Sequence, residues 1–112
     1  MLRGFYGLIN YTAYDCLIFV LERPTAEINC SSPFTVKEGD SFKCLCYSST
    51  GYPPPNVTWY NLDGNKVGET ESLKKTLLLK NITKEEAGNY NCIVKSLDLE
   101  DMKQVKLQVQ CK

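Results

Sequence analysis

The 112 residues include no histidine, one tryptophan, two methionines and no surplus of either charge. Without histidine the commonest general base is missing, together with most zinc sites. An enzyme would then need paired carboxylates, a nucleophile with some other base, or a thiolate-bound metal. Thirteen basic residues balance thirteen acidic ones, which removes the electrostatic footprint of a nucleic-acid binder or of a domain held to anionic lipid. Long apolar runs are also lacking. The eighteen residues from Gly4 to Leu21 would barely span a bilayer, and Asp15 puts a carboxylate near their middle. The expectation is a non-catalytic domain that neither binds nucleic acid nor inserts into a membrane.

The chain does contain six cysteines and four Asn-x-Ser/Thr sequons, at Asn10, Asn29, Asn56 and Asn81. Chance placement of its eight asparagines and fifteen Ser/Thr residues gives about one sequon, so four is an excess. Sequons and cysteines together point to an oxidising, extracellular setting, secreted or at the cell surface, where N-linked glycans are carried and disulfides persist. Asn56 and Asn81 fall at predicted loop positions. Asn29 is followed by Cys30, so its glycosylation would compete with disulfide formation.

A domain of this length has a real but modest core, which covalent staples help noticeably. From residue 25 onward apolar residues recur with period two, as in Val57, Trp59; Tyr90, Cys92, Val94; and Val105, Leu107, Val109. That pattern predicts an edge segment over 27–37 and strands near 41–48, 56–61, 65–68, 74–80, 88–95 and 103–111. Asp63-Gly64 reads as a tight hairpin, and 83–87 as one helical turn capped by Asn81 or Thr83.

Residues 1–24 stand apart. The stretch Cys16 to Leu21 reads either as a weak signal sequence or as a strand or fragment of a preceding region, and both readings stay open. Tyr11-Thr-Ala-Tyr-Asp-Cys16 echoes the run before Cys92, but too few residues follow it for a closing hairpin.

Cys30, Cys44, Cys46 and Cys111 could in arithmetic make a four-thiolate metal site, yet they lack the paired CxxC knuckles of such cages, so no cofactor is expected. Leu97-Asp-Leu-Glu-Asp101 lacks the alternating oxygen ligands and glycine of a calcium loop and reads as a solvated hairpin tip. Pro53-Pro-Pro55 lacks the spacing of a proline-rich ligand and reads as a loop entering a strand.

Cys46, Trp59 and Cys92, with Tyr90 two residues before the last, resemble the immunoglobulin superfamily signature. Glu86-Ala-Gly-Asn-Tyr-Asn-Cys92 is similar to the family's Asp-x-Gly-x-Tyr-x-Cys run, with glutamate in place of aspartate. That departure puts in doubt the ion pair the acid normally makes. Glu38-Gly39 followed by Phe42, Cys44 and Cys46, and Pro53 to Trp59, match the flanking strands. The resemblance covers 25–112. It implies an all-β, immunoglobulin-like sandwich of two antiparallel sheets and about seven strands, with Cys46 bonded to Cys92, Trp59 packed on the bridge and the Tyr90 hydroxyl bonded to backbone upstream.

Only 32 residues lie between Trp59 and Cys92, too few for the extra pair of edge strands of variable-type domains, so the C2 or I-type is expected. The first choice for a second bridge is Cys30 with Cys44, with Cys111 as rival; Cys16 and Cys111 are left for each other or for other parts of a larger protein.

The resemblance further implies a recognition or adhesion module that binds another protein, or an identical copy, through an exposed sheet face or loop tip. The ectodomain of a signalling receptor such as a receptor kinase is the alternative. If Trp59 and Cys92 point inward, Tyr60 and Ile93 point outward. Tyr60, Ile93, Lys95 and the hairpin residues Leu97 and Leu99 are therefore the candidate partner-binding residues.

Overall fold

The computed structural model describes residues 21–111, so Asn10, Cys16 and most of the 1–24 segment lie outside the described residues. The strands are β1 (Glu27–Ile28), β2 (Phe34–Lys37), β3 (Phe42–Tyr47), β4 (Asn56–Tyr60), β5 (Lys66–Ser72), β6 (Lys74–Leu79), β7 (Gly88–Ser96) and β8 (Leu99–Gln110). Three form one sheet in the order β1-β3-β6, and five form the other in the order β2-β8-β7-β4-β5. This is the all-β sandwich expected.

Alternation dictates which residues meet between the sheets. Phe42, Cys44 and Cys46 of β3 are buried while Lys43 between them is exposed. Tyr90, Cys92 and Val94 of β7, Val57 and Trp59 of β4, and Val105 and Leu107 of β8 complete the same core with Leu77 and Ile82. Cys46 and Cys92 are bonded across it, their Cα atoms 6.5 Å apart. The second bridge is Cys30–Cys44, with Cα atoms 5.4 Å apart. Cys111 stays exposed just beyond β8.

The expected edge segment 27–37 is divided. Its first part pairs with β3 antiparallel, and after Pro33 the chain crosses to the other sheet, where β2 runs parallel to β8. This crossing makes eight strands and one parallel pair in an otherwise antiparallel arrangement. The strand expected over 65–68 runs on to Ser72 along β4. Apart from Val67, which packs against the core, its residues are exposed at the sheet edge, so no apolar alternation marks its extent. The strand therefore stays beside β4 and does not cross to the outer edge of β6, as the fourth strand of a constant-type sheet does.

Two expected turns form with identifiable chemistry. Gly64 takes φ 83° in a turn where Asn61 Oδ1 accepts from the Asp63 and Asn65 backbone N–H groups. Lys84–Glu86 is a single 3₁₀ turn, capped at Thr83. There the Glu86 carboxylate accepts from the Thr83 N–H at 2.9 Å, so the glutamate that stands in the family's aspartate position serves the turn and makes no ion pair among the described residues. The Tyr90 hydroxyl donates to the Glu86 carbonyl at 2.8 Å. Burial, and then the Glu86 charge, push the phenol pKa up, which keeps this donor protonated.

Residues 22–26 are strapped onto the sandwich. Glu22 and Tyr52 exchange backbone bonds at 3.2 and 3.1 Å, and Pro24 is fully buried. Gly51, at φ 119°, lies so close that a Cβ there would meet Pro24 at 3.2 Å. The strap is tied to β8 where Asp101 Oδ2 accepts from the Ala26 N–H at 2.8 Å. That bond is the main reason the Asp101 carboxyl titrates below its ordinary value. A folded-state pKa below the unfolded one means the bond contributes fully above about pH 4 and is lost as the pH falls through the lowered value. Thermal midpoints measured down an acid series should therefore fall more steeply in the wild type than in Asp101→Asn, whose amide oxygen still accepts. The difference should stay below about 1 kcal/mol because the group is largely solvated. Parallel curves would contradict this role.

Candidate functional site

The outer face of the five-stranded sheet is built from three short rows that cross β4, β7 and β8. Asn56 pairs with Lys95 and Lys95 with Glu100; Thr58 with Ile93 and Ile93 with Met102; Tyr60 with Asn91 and Asn91 with Gln104. Residues directly opposite in an antiparallel ladder share a face, and the inward Trp59, Cys92 and Val94 between them are fully buried. The rows therefore all look outward.

Their chemistry is mixed. The Gln104 amide donates to Asn91 Oδ1 at 2.9 Å, and the Thr58 and Thr70 hydroxyls lie 2.8 Å apart. Lys95 Nζ stands 3.8 Å from Glu100 Oε2 with both side chains more than half exposed, a pair worth little to stability. Ile93 is half-buried, and Met102 is 51 % exposed. Between β4, β5 and the β7–β8 hairpin lies an open concavity of about 420 Å³, bordered by Asn56, Thr58, Tyr60, Thr70, Ile93, Lys95, Leu97 and Glu100.

Four of the five residues picked from sequence meet at this concavity. Leu97 occupies the first position of a two-residue turn between Ser96 and Leu99, at φ 54° and 60 % exposed. A bulky side chain in the left-handed region is strained, and such outliers gather at functional positions. Leu99 is placed differently. It pairs with Ser96, whose buried hydroxyl donates to the Pro53 carbonyl, so Leu99 lies on the inward side, half-buried. The tip is only Leu97-Asp98, and β8 begins at Leu99, four residues earlier than expected. That shift is what adds Glu100 and Met102 to the outer face. Counting outward from a two-residue turn would have found them.

The sequons occupy distinct environments. Asn81 is exposed in the turn after β6 at φ 53°. Asn29 is exposed, but its side-chain oxygen accepts from the Leu45 N–H at 2.8 Å, beside the Cys30–Cys44 bridge. Asn56 is the first residue of β4, exposed on the outer face, and its side-chain oxygen accepts from the Ser72 hydroxyl at 3.3 Å.

A second concavity of about 470 Å³ at the other end of the sandwich includes Asp63, Glu85 and Glu86 with Leu62 and Leu79. It brings together three carboxylates and the Tyr90 hydroxyl, which is engaged by the Glu86 carbonyl. No group of three or more Cys, Asp or Glu residues suited to a metal ion occurs among the described residues.

Comparison with known proteins agrees with this architecture. Residues 23–96 match the family model described as immunoglobulin domain. Human IgLON family member 5 is 35% identical over 74 residues, covering 66% of this chain and 20% of the relative. Rat limbic system-associated membrane protein is 34% identical over 92 residues, covering 80% and 26%. The crystal structure of the N-terminal four Ig domains of Dscam1 isoform 8.4 superposes with TM-score 0.67 and 26% identity, over 80% of this chain and 22% of that one. The chain thus spans about a fifth to a quarter of the length of these relatives. With its sandwich, inter-sheet bridge, buried tryptophan and tyrosine corner in place, the chain belongs to the immunoglobulin domain family.

Proposed function

We propose that this domain is a non-catalytic extracellular recognition or adhesion module that binds another protein through the outer face of β4, β7 and β8. The observation that carries the reading is the composition of that face. Tyr60, Ile93 and Met102 are presented beside Asn91 and Gln104, with Lys95 and Glu100 at one end, on a sheet whose inner residues Trp59, Cys92 and Val94 are fully buried. Aromatic and apolar anchors interleaved with a few polar groups are what a protein-binding patch requires. Two disulfides and exposed sequons support an extracellular setting.

The partner favoured is a second copy of the same domain. In the Tyr60 row, Asn91 and Gln104 are adjacent amides that can each donate and accept, so two faces related by a two-fold axis can set each amide against the other copy's. Sedimentation of the glycosylated domain over a concentration series should show reversible dimerisation, abolished by Met102→Arg and Ile93→Arg with the thermal midpoint little changed. A strict monomer at all concentrations would overturn the homophilic reading. Dimerisation untouched by both substitutions would overturn the choice of face.

A further inference from the structure

The geometry points to an N-linked glycan on Asn56 that covers the Lys95–Leu97 end of the outer face and confines protein contact to the end that carries Ile93, Met102 and Tyr60. The second half of this inference rests on the proposed use of the face; the first half does not.

Three observations carry it. Asn56-Val57-Thr58 is a complete sequon, and Asn56 is exposed on the outer face itself, not on a loop remote from it. The Asn56 amide is held at its oxygen by the Ser72 hydroxyl, which leaves the nitrogen, the atom that carries a glycan, as the end not engaged by that bond. Lys95 is the direct cross-strand partner of Asn56, and both border the same concavity as Leu97. A sugar attached at Asn56 has the Lys95–Leu97 end of this concavity as its immediate floor, while Tyr60 borders the far end. Successive rows of the face are two residues apart, about 6.6 Å, so the first sugars cover the Asn56 row before they reach the Tyr60 row. The other described sequons do not share this placement, since Asn29 and Asn81 pair with no residue of the outer face. Its own glycan thus explains how the exposed, strained Leu97 is tolerated at the tip without presenting bare apolar surface to every passing protein.

The test uses peptide mapping and amine labelling on the chain expressed in a glycosylating host. Mapping should find Asn56 occupied. Lys95 should be acylated by the N-hydroxysuccinimide ester of biotin several-fold more slowly in the glycosylated wild type than in Asn56→Gln, with exposed Lys37 on β2 as internal reference. The wild-type chain made without glycosylation in an oxidising bacterial compartment should match Asn56→Gln, which separates the loss of the sugar from the loss of the Ser72 contact. An unoccupied Asn56, or equal Lys95 rates in all three proteins, would overturn the inference. Because this readout needs no binding partner, it fails or succeeds independently of the Met102→Arg and Ile93→Arg experiments.

Discussion

Trp59→Ala should lower the unfolding free energy by about 3–5 kcal/mol, read from denaturant midpoints at constant slope. The side chain is fully buried and belongs to both halves of the sandwich. Its backbone pairs with Cys92 in one sheet, while its indole N–H donates across the core to the Lys75 carbonyl on β6 at 3.0 Å. Alanine therefore leaves a cavity beside the inter-sheet bridge and a carbonyl without its donor. Trp59→Phe separates these effects. It keeps most of the apolar volume and loses the bond, so its cost should be smaller, about 1–3 kcal/mol, dominated by the unsatisfied acceptor. A near-neutral Trp59→Ala would contradict the core assignment.

Removing the inter-sheet bridge with Cys46→Ala and Cys92→Ala together should cost about 4 kcal/mol by the loop-closure argument, against about 3 kcal/mol for Cys30→Ala with Cys44→Ala. The bridges close stretches of 46 and 14 residues in sequence separation, and closure entropy grows only slowly with length. Burial widens the gap in the same direction, since Cys46 and Cys92 are both fully buried while Cys30 is only partly so. Either loss is a large fraction of the 5–15 kcal/mol typical of a whole domain. Guanidinium unfolding of the two double variants, with peptide mapping to confirm the remaining bridge, checks the order. A reversed order would show that strap and edge, and not the inter-sheet link, limit stability.

Much of this was legible in the sequence where one face of a strand is buried. Phe42, Cys44 and Cys46, and Tyr90, Cys92 and Val94, alternate with the less buried Lys43, Leu45, Asn91 and Ile93, and burial on one side forces that spacing into the residues. The strands at the edges were less legible. β5 is exposed on both sides beyond Val67, so nothing selects apolar residues there, and its last four residues look like loop. β2 changes sheets because of which neighbour it finds, and no local pattern records that choice. At the candidate site the parity of β4 and β7 followed from Trp59 and Cys92, which brought out Tyr60, Ile93 and Lys95. β8 has no such marker near its start, so Met102 and Glu100 were missed and Leu99 was assigned to the hairpin tip. The length of the hairpin turn decided all three.

The stretch Lys43-Cys44-Leu45-Cys46 holds one end of each bridge. Tension applied at the two ends of the described chain runs along the backbone to Cys30, crosses to Cys44, passes through Leu45, crosses from Cys46 to Cys92 and leaves along β7 and β8. Residues 31–43 and 47–91 are bypassed. While both bonds hold, a stretched domain can lengthen only through 21–30, 44–46 and 92–111, whatever becomes of its hydrogen bonds. One leucine between two cysteines thus joins two separate staples into one covalent path that keeps tension off residues 31–43 and 47–91.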